Sequence, residues 1–138
     1  MKKQTRGYNN CNPGNIEQSR DVFQGEVIPS QDRRFKQFQT MAYGYRAMFV
    51  TLDTYRKRGL DTIDKIVRSW APPVENHTDV YVSSVERWSG VPRDRKLTPF
   101  SGDEYISIVA AMSRMENGVE ADMADVLTGF AKQDRIKR

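Results

Sequence analysis

The chemistry open to this chain rests on carboxyl groups, and Glu116 is the one whose spacing is informative. Tyr105, Val109, Met112 and Glu116 recur at helical intervals, so a carboxyl continues a row that otherwise reads as buried. Such a group is partly desolvated, and at the end of its helix it also faces the negative pole of the helix dipole. Both effects disfavour the charged form, so the spacing predicts a raised pKa. An acid that keeps its proton near neutral pH at the edge of an apolar surface can protonate a leaving oxygen, as glycoside cleavage requires. The plain alternative is a surface glutamate at a helix end.

A second informative stretch is W-A-P-P-V-E-N-H-T-D-V-Y, residues 70–81. Pro72 and Pro73 must stop the apolar helix that ends at Trp70, because each fixes φ and the first pushes Ala71 out of the helical region. Thr78 is predicted to N-cap the next helix, which leaves Val74, Glu75, Asn76 and His77 on a short stiff corner. A corner of this kind presents polar groups at fixed positions, although it would look the same if Glu75 and Asn76 were merely solvated.

Other chemistries lack their residues. There is no G-x-S-x-G, phosphate loop or H-E-x-x-H, and one cysteine (Cys11) far from one histidine (His77) speaks against a transition-metal site or an internal disulfide. No cofactor is expected. With 138 residues, 38% apolar and 10% aromatic, a single domain spanning 1–138 with its own core is predicted, its ends at 1–5 and 132–138 flexible. The charge of +4 and pI of about 9.3 favour an anionic partner. Because the basic residues are interspersed with acids and match no nucleic-acid module, no nucleic-acid partner is expected and most of them read as solvated faces. No apolar stretch is long enough for membrane insertion, and the basic start lacks the hydrophobic segment of a signal peptide.

The elements that must position Glu116 follow from periodicity. The first forty residues carry turn formers, N-N-C-N-P-G-N at 9–15, and two extended segments, V-F-Q-G-E-V-I from 22 and F-K-Q-F from 35, which predict a short bent ribbon. Five helices follow. The first runs from Ala42 to near Gly59 with Tyr45, Met48, Phe49, Leu52 and Tyr55 inward, and the second from Asp61 or Thr62 to Trp70. A third from Thr78 carries Tyr81, Val82, Val85 and Trp88. The fourth starts at a capping box, S-G-D-E at 101–104, and stops at Asn117-Gly118. The last spans about Glu120–Ala131 with Met123, Val126, Leu127 and Phe130. The predicted class is mainly α (α+β), with the first and fourth helices central and both tryptophans largely buried.

Taken together, R-G-Y-N-N-C-N-P-G-N-I, F-K-Q-F-Q-T-M-A-Y-G-Y-R-A-M, the 70–81 corner and S-R-M-E-N-G resemble small phage- and prophage-encoded virion proteins of lysozyme-like type over about Arg6–Gly118. The pieces are also similar to those of wall-degrading glucosaminidases and lytic transglycosylases, in a different order. There a helix ending in Glu-Ser-Gly carries the general acid and an Asn-Asn loop follows. Here I-V-A-A-M-S-R-M-E-N-G comes late, Asn9-Asn10 comes first, and Asn117 stands where Ser is usual. The resemblance implies a circularly permuted lysozyme-like domain with Glu116 as the acid, acting on peptidoglycan glycan strands as a glycoside hydrolase or lytic transglycosylase. The alternative is a non-catalytic virion structural or wall-binding protein of the same fold. Glu75, with Asp79 behind it, is the candidate second group, and Asn10, Asn12, Asn15, Asn76 and Tyr81 are candidate sugar contacts, since amides and phenols pair with hydroxyl and acetamido groups. Each of these also suits a turn or the core. The expected setting is synthesis in the cytoplasm, then assembly with other virion proteins or release to the wall on lysis or infection.

Overall fold

A computed structural model describes residues 5–71 and 75–133, with only the backbone of Glu75 and Asn76 described. Most of the ends expected to be flexible therefore lie outside the described residues. Within them, Thr5 is tied down, its hydroxyl donating to Asn117 Oδ1 at 2.7 Å.

Local capping sets the helix boundaries. Thr5 accepts from Tyr8 N at 3.2 Å and starts a single turn, α1 (Arg6–Asn9), inside the stretch expected to be a loop. One turn is too short to leave a periodic signal. The ribbon follows as β1 (Glu26–Val27) and β2 (Gln37–Phe38), antiparallel with Glu26 opposite Phe38 and Val27 opposite Gln37. An isolated bridge joins Glu17 to Phe35. The second edge thus changes partner between residues 35 and 37, and this bend lets Phe35 and Phe38, three apart, both turn inward. Thr40 and Thr62 cap α2 (Met41–Lys57) and α3 (Ile63–Trp70) by accepting from Tyr43 N and Lys65 N, each at 3.2 Å.

The next helix, α4 (Glu75–Ser89), departs from expectation. It begins at Glu75, so Glu75, Asn76 and His77 form its first turn instead of a non-helical corner, and Thr78 is inside it and 4% exposed. The prolines end the preceding helix but do not bar helical backbone after them, so α4 starts three residues before the expected cap. The expected capping box of α5 (Gly102–Asn117) also does not form. Ser101 Oγ instead accepts from Thr98 N at 2.9 Å, closing the preceding turn, and Glu104 lies 3.8 Å from Arg95. Its stop is as expected, with Gly118 left-handed at φ 74°. Asp122, accepting from Ala124 N at 2.9 Å, opens α6 (Met123–Ala131).

The described residues thus hold six helices and a two-stranded ribbon, a mainly α fold. As expected α2 and α5 are central: α2 packs on α6 and α5, and α4 packs on α5 and α3. Their common core includes Tyr45, Met48, Leu52, Ile66, Val82, Ile108 and Met112, all fully buried. Met123 and Leu127 are 43% and 49% exposed, because α6 turns Val126 and Gly129 toward α2. The tryptophans are only half-buried. Trp88 lies under the Arg114 guanidinium, 4.2 Å from the ring centroid, and Trp70 faces a groove described below. No helix of the described residues is long and apolar enough to cross a membrane.

Close approach at one glycine seats the opening loop on the central helix. A Cβ on Gly44 would collide with the carbonyl oxygen of Cys11 and the ring of Pro13. Gly44→Ala is expected to lower stability by about 1–3 kcal/mol, because a backbone carbonyl cannot step aside as a flexible side chain would. The helix-propensity gain of ~1 kcal/mol offsets this only in part. A urea midpoint equal to or above that of the wild type would refute the close packing.

Candidate active site

Glu116 sits in the last turn of α5, half-buried, and each of its oxygens has a donor. Asn15 Nδ2 donates to Oε1 at 2.9 Å and the Tyr81 hydroxyl to Oε2 at 3.0 Å. Burial pushes the Glu116 carboxyl above its usual range, and the two neutral donors pull it back only in part. The direction is the one the helical stripe implied. Tyr81 is itself 6% exposed, and its phenol is raised well above the ordinary value, first by burial and then by the neighbouring carboxylate. It therefore stays a neutral hydroxyl. Its position is set by the packing of α4 on α5, with Val82 and Val85 beside it in the core.

Asn15 reaches the acid from the opening loop, and the backbone there has φ 50°, a left-handed conformation that asparagine tolerates better than most side chains. The loop is held by two other asparagines. Asn12 accepts from Ile16 N at 2.9 Å and donates to the carbonyls of Ile16 and Lys36 at 3.0 and 2.8 Å. Asn117, next to the acid, donates to the carbonyls of Pro13 and Ser113, both at 2.9 Å. Because one amide bridges the loop and the helix, the hundred residues between Asn15 and Glu116 are closed into a fixed contact.

The sequence candidates thus separate. Asn15 and Tyr81 meet at Glu116. Asn12 is fully buried with its amide engaged by backbone. Asn10 is 2% exposed, donates to Asp32 at 3.1 Å, accepts from Gln31 at 3.0 Å and lines a different, polar hollow with Arg6 and Asn9. The side chains of Glu75 and Asn76 lie outside the described residues. Asp79 is ion-paired with Arg68 at 3.2 Å on the surface.

Glu116 opens onto a groove of about 630 Å³ whose walls combine Asn15, Ile16, Glu17, Arg34 and Phe35 with Thr51, Tyr55, Ser69 and Trp70. Trp70 stands edge-on to Tyr55, ring centroids 6.1 Å apart, and its indole nitrogen donates to Gly14 O at 3.1 Å. The ring is fixed and half-exposed, a flat apolar wall beside an acid. Sequence reasoning assigned Trp70 and Tyr55 to the core, placed Phe35 in the bent ribbon, counted Arg34 among the mostly solvated basic residues and passed over Glu17. The one local hint was a tryptophan two residues before Pro72-Pro73, where the helix has to end. Among the described residues no group of three or more His, Cys, Asp or Glu side chains could hold a metal ion.

A mainly α domain with a carboxyl held at the wall of an open groove has a relative among phage proteins. The chain is 38% identical over 117 residues to Protein P5 of Pseudoalteromonas phage PM2, an alignment covering 82% of this chain and 71% of that protein. It belongs to the family of that phage protein. No protein-family profile matches it.

Proposed function

We propose that this protein cleaves the β-1,4 link in peptidoglycan glycan strands, with Glu116 as the general acid. The observation that carries this reading is a half-buried carboxyl, raised in pKa by burial and gripped by two neutral donors, at the wall of a groove of about 630 Å³ with aromatic sides. Glycosidic cleavage needs a proton delivered to the leaving oxygen, and an acid that holds its proton near neutral pH supplies it. Trp70 and Tyr55 offer ring faces for pyranoses, while Asn15 and Tyr81 position the acid. The reading rests on Glu116 and needs nothing from Glu75.

The pieces also fit a lysozyme-like domain in permuted order. The acid-bearing α5 comes late and the asparagine loop with its ribbon comes early, yet Thr5 and Pro13 both bond to Asn117, so the two ends of that arrangement meet at the acid. Membership of a phage protein family supports an agent that reaches the wall with the virion or at lysis, where the net positive charge would draw it to anionic wall polymers. The test is turbidity loss of purified sacculi by the wild type beside Glu116→Gln. Sacculus binding by the wild type without turnover would replace the enzyme with a wall-binding module.

Tyr81→Phe separates positioning from chemistry. The hydroxyl favours the carboxylate form of Glu116, so its removal raises that pKa further. The alkaline limb of the pH–rate profile is expected to move to higher pH, with the acid itself intact. A limb that stays in place, or moves down, would contradict the assigned hydrogen bond.

A further inference from the structure

Among the described residues lining the groove, Glu17 is the carboxylate other than Glu116. Building on the glycan-cleavage reading, we propose that Glu17 is the base of the same site. It takes a proton from the attacking water while Glu116 protonates the departing sugar oxygen, so that the link is hydrolysed with inversion at the anomeric carbon.

Backbone pairing fixes where Glu17 stands. Gln18 N donates to Arg34 O at 2.8 Å, Lys36 N donates to Ile16 O at 2.9 Å, and the Glu17–Phe35 bridge lies between them. The Asn12 amide clamps this pair of segments from behind through the carbonyls of Ile16 and Lys36. Asn15 and Glu17, two residues apart, both face the groove, and Asn15 is already in contact with Glu116. Glu116 is bonded to Asn15 and Tyr81 and Glu17 to Arg34, so the two carboxyls line one groove without bonding to each other, and the proposed roles require between them the ~6.5–9.5 Å of inverting pairs, which admits the attacking water.

The two carboxyls also differ in the way the roles require. Glu116 is half-buried and bonded by neutral groups, whereas the Glu17 side chain is 60% exposed and paired with a guanidinium. Both Arg34 contacts, Nη2 at 2.9 Å and Nε at 3.3 Å, fall on Oε2. Oε1 takes no part in the Arg34 contact. Arg34 in turn is steadied over the Phe35 ring, 4.9 Å from its centroid. In the reaction the bond from the anomeric carbon to the glycosidic oxygen breaks as that oxygen takes the Glu116 proton. The water oxygen bonds the same carbon from the opposite face and gives its proton to Glu17. Solvent then returns each carboxyl to its starting state. An exposed Glu–Arg pair on an ordinary surface would have no such consequence.

The experiment is digestion of purified sacculi by the wild type, Glu17→Gln and Glu116→Gln, with product ends analysed by mass and anomeric configuration. Glu17→Gln should lose about 10²–10⁴-fold in rate while keeping its melting temperature and its co-sedimentation with sacculi. Sodium azide should restore cleavage in this variant alone and leave α-glycosyl azide ends, a rescue that a merely structural residue would not permit. Wild-type products should be reducing sugars first released in the α configuration. The proposal is overturned by full activity of Glu17→Gln, by 1,6-anhydro or β-configured wild-type products, or by loss of folding or sacculus binding in that variant. A wild type that leaves sacculi intact removes the glycan-cleavage reading first and Glu17 with it, an outcome distinct from an active enzyme indifferent to Glu17.

Discussion

Glu116→Gln is expected to lose about 10²–10⁴-fold in sacculus-clearing rate and, at the same time, to fold more stably than the wild type at pH 8. The amide has nearly the shape of the acid and keeps both contacts, accepting from Asn15 Nδ2 and donating to the Tyr81 oxygen, but it has no proton to deliver. The stability gain follows from the raised pKa. Between the unfolded and the folded pKa of Glu116 the native state binds the proton more tightly than the unfolded chain does. Native stability contributed by this group is therefore greatest at acid pH and falls as pH rises through that window. Glutamine is not subject to that loss, so the difference in melting temperature should be largest above the folded pKa and vanish below the unfolded one. Activity of the wild type should decline as pH rises through the folded pKa, where the native acid loses its proton. Equal activity in the two proteins would end the assignment of Glu116 as acid, and a variant less stable at pH 8 would contradict its burial.

Lys36→Met is expected to cost about 3–5 kcal/mol, the largest stability effect of any single change outside the hydrophobic core. Lys36 is fully buried, and its ammonium donates to both oxygens of Glu26 at 3.0 and 3.3 Å and to the carbonyls of Asp21 and Ser19 at 2.8 and 3.4 Å. The Glu26 side chain is 3% exposed, so removing the cation leaves a carboxylate in the interior without its counter-charge. Combining Lys36→Met with Glu26→Gln should recover most of the loss, since the glutamine still accepts from Phe23 N and no charge is stranded. The ribbon also carries the backbone that holds Ile16 and Glu17, so the single variant should lose sacculus binding as well. A urea midpoint within ~1 kcal/mol of the wild type for Lys36→Met would show the pair to be dispensable.

The helices and their stops were legible because their causes are local. Thr40, Thr62 and Gly118 act on backbone groups within four residues, and the inward rows of α2 and α5 follow a fixed angular period. The same local rules put Glu116 at the end of an apolar row, and hence near a raised pKa, before any tertiary contact was known. They misled at Ser101, whose hydroxyl had a nearer donor in Thr98 N, and at Thr78, which lies inside a helix that starts three residues earlier. Lys36 is beyond them altogether, because a charged residue in a ribbon reads as solvated until its partner ten positions away closes over it.

What the sequence by itself determined is the mainly α class, four of the helix positions to within about three residues, and the carboxyl whose environment would differ from a surface acid. The tertiary structure decided which groups meet that carboxyl. Asn15 stands 101 positions away and Tyr81 35, while Asn10 and Asn12, chemically indistinguishable from Asn15, are drawn into the loop's own hydrogen bonds. It also decided that Trp70, Tyr55, Glu17 and Arg34 share one groove. A helix is made by bonds to near neighbours, but a groove is the space left between elements remote in the chain, so its walls appear only when those elements have packed.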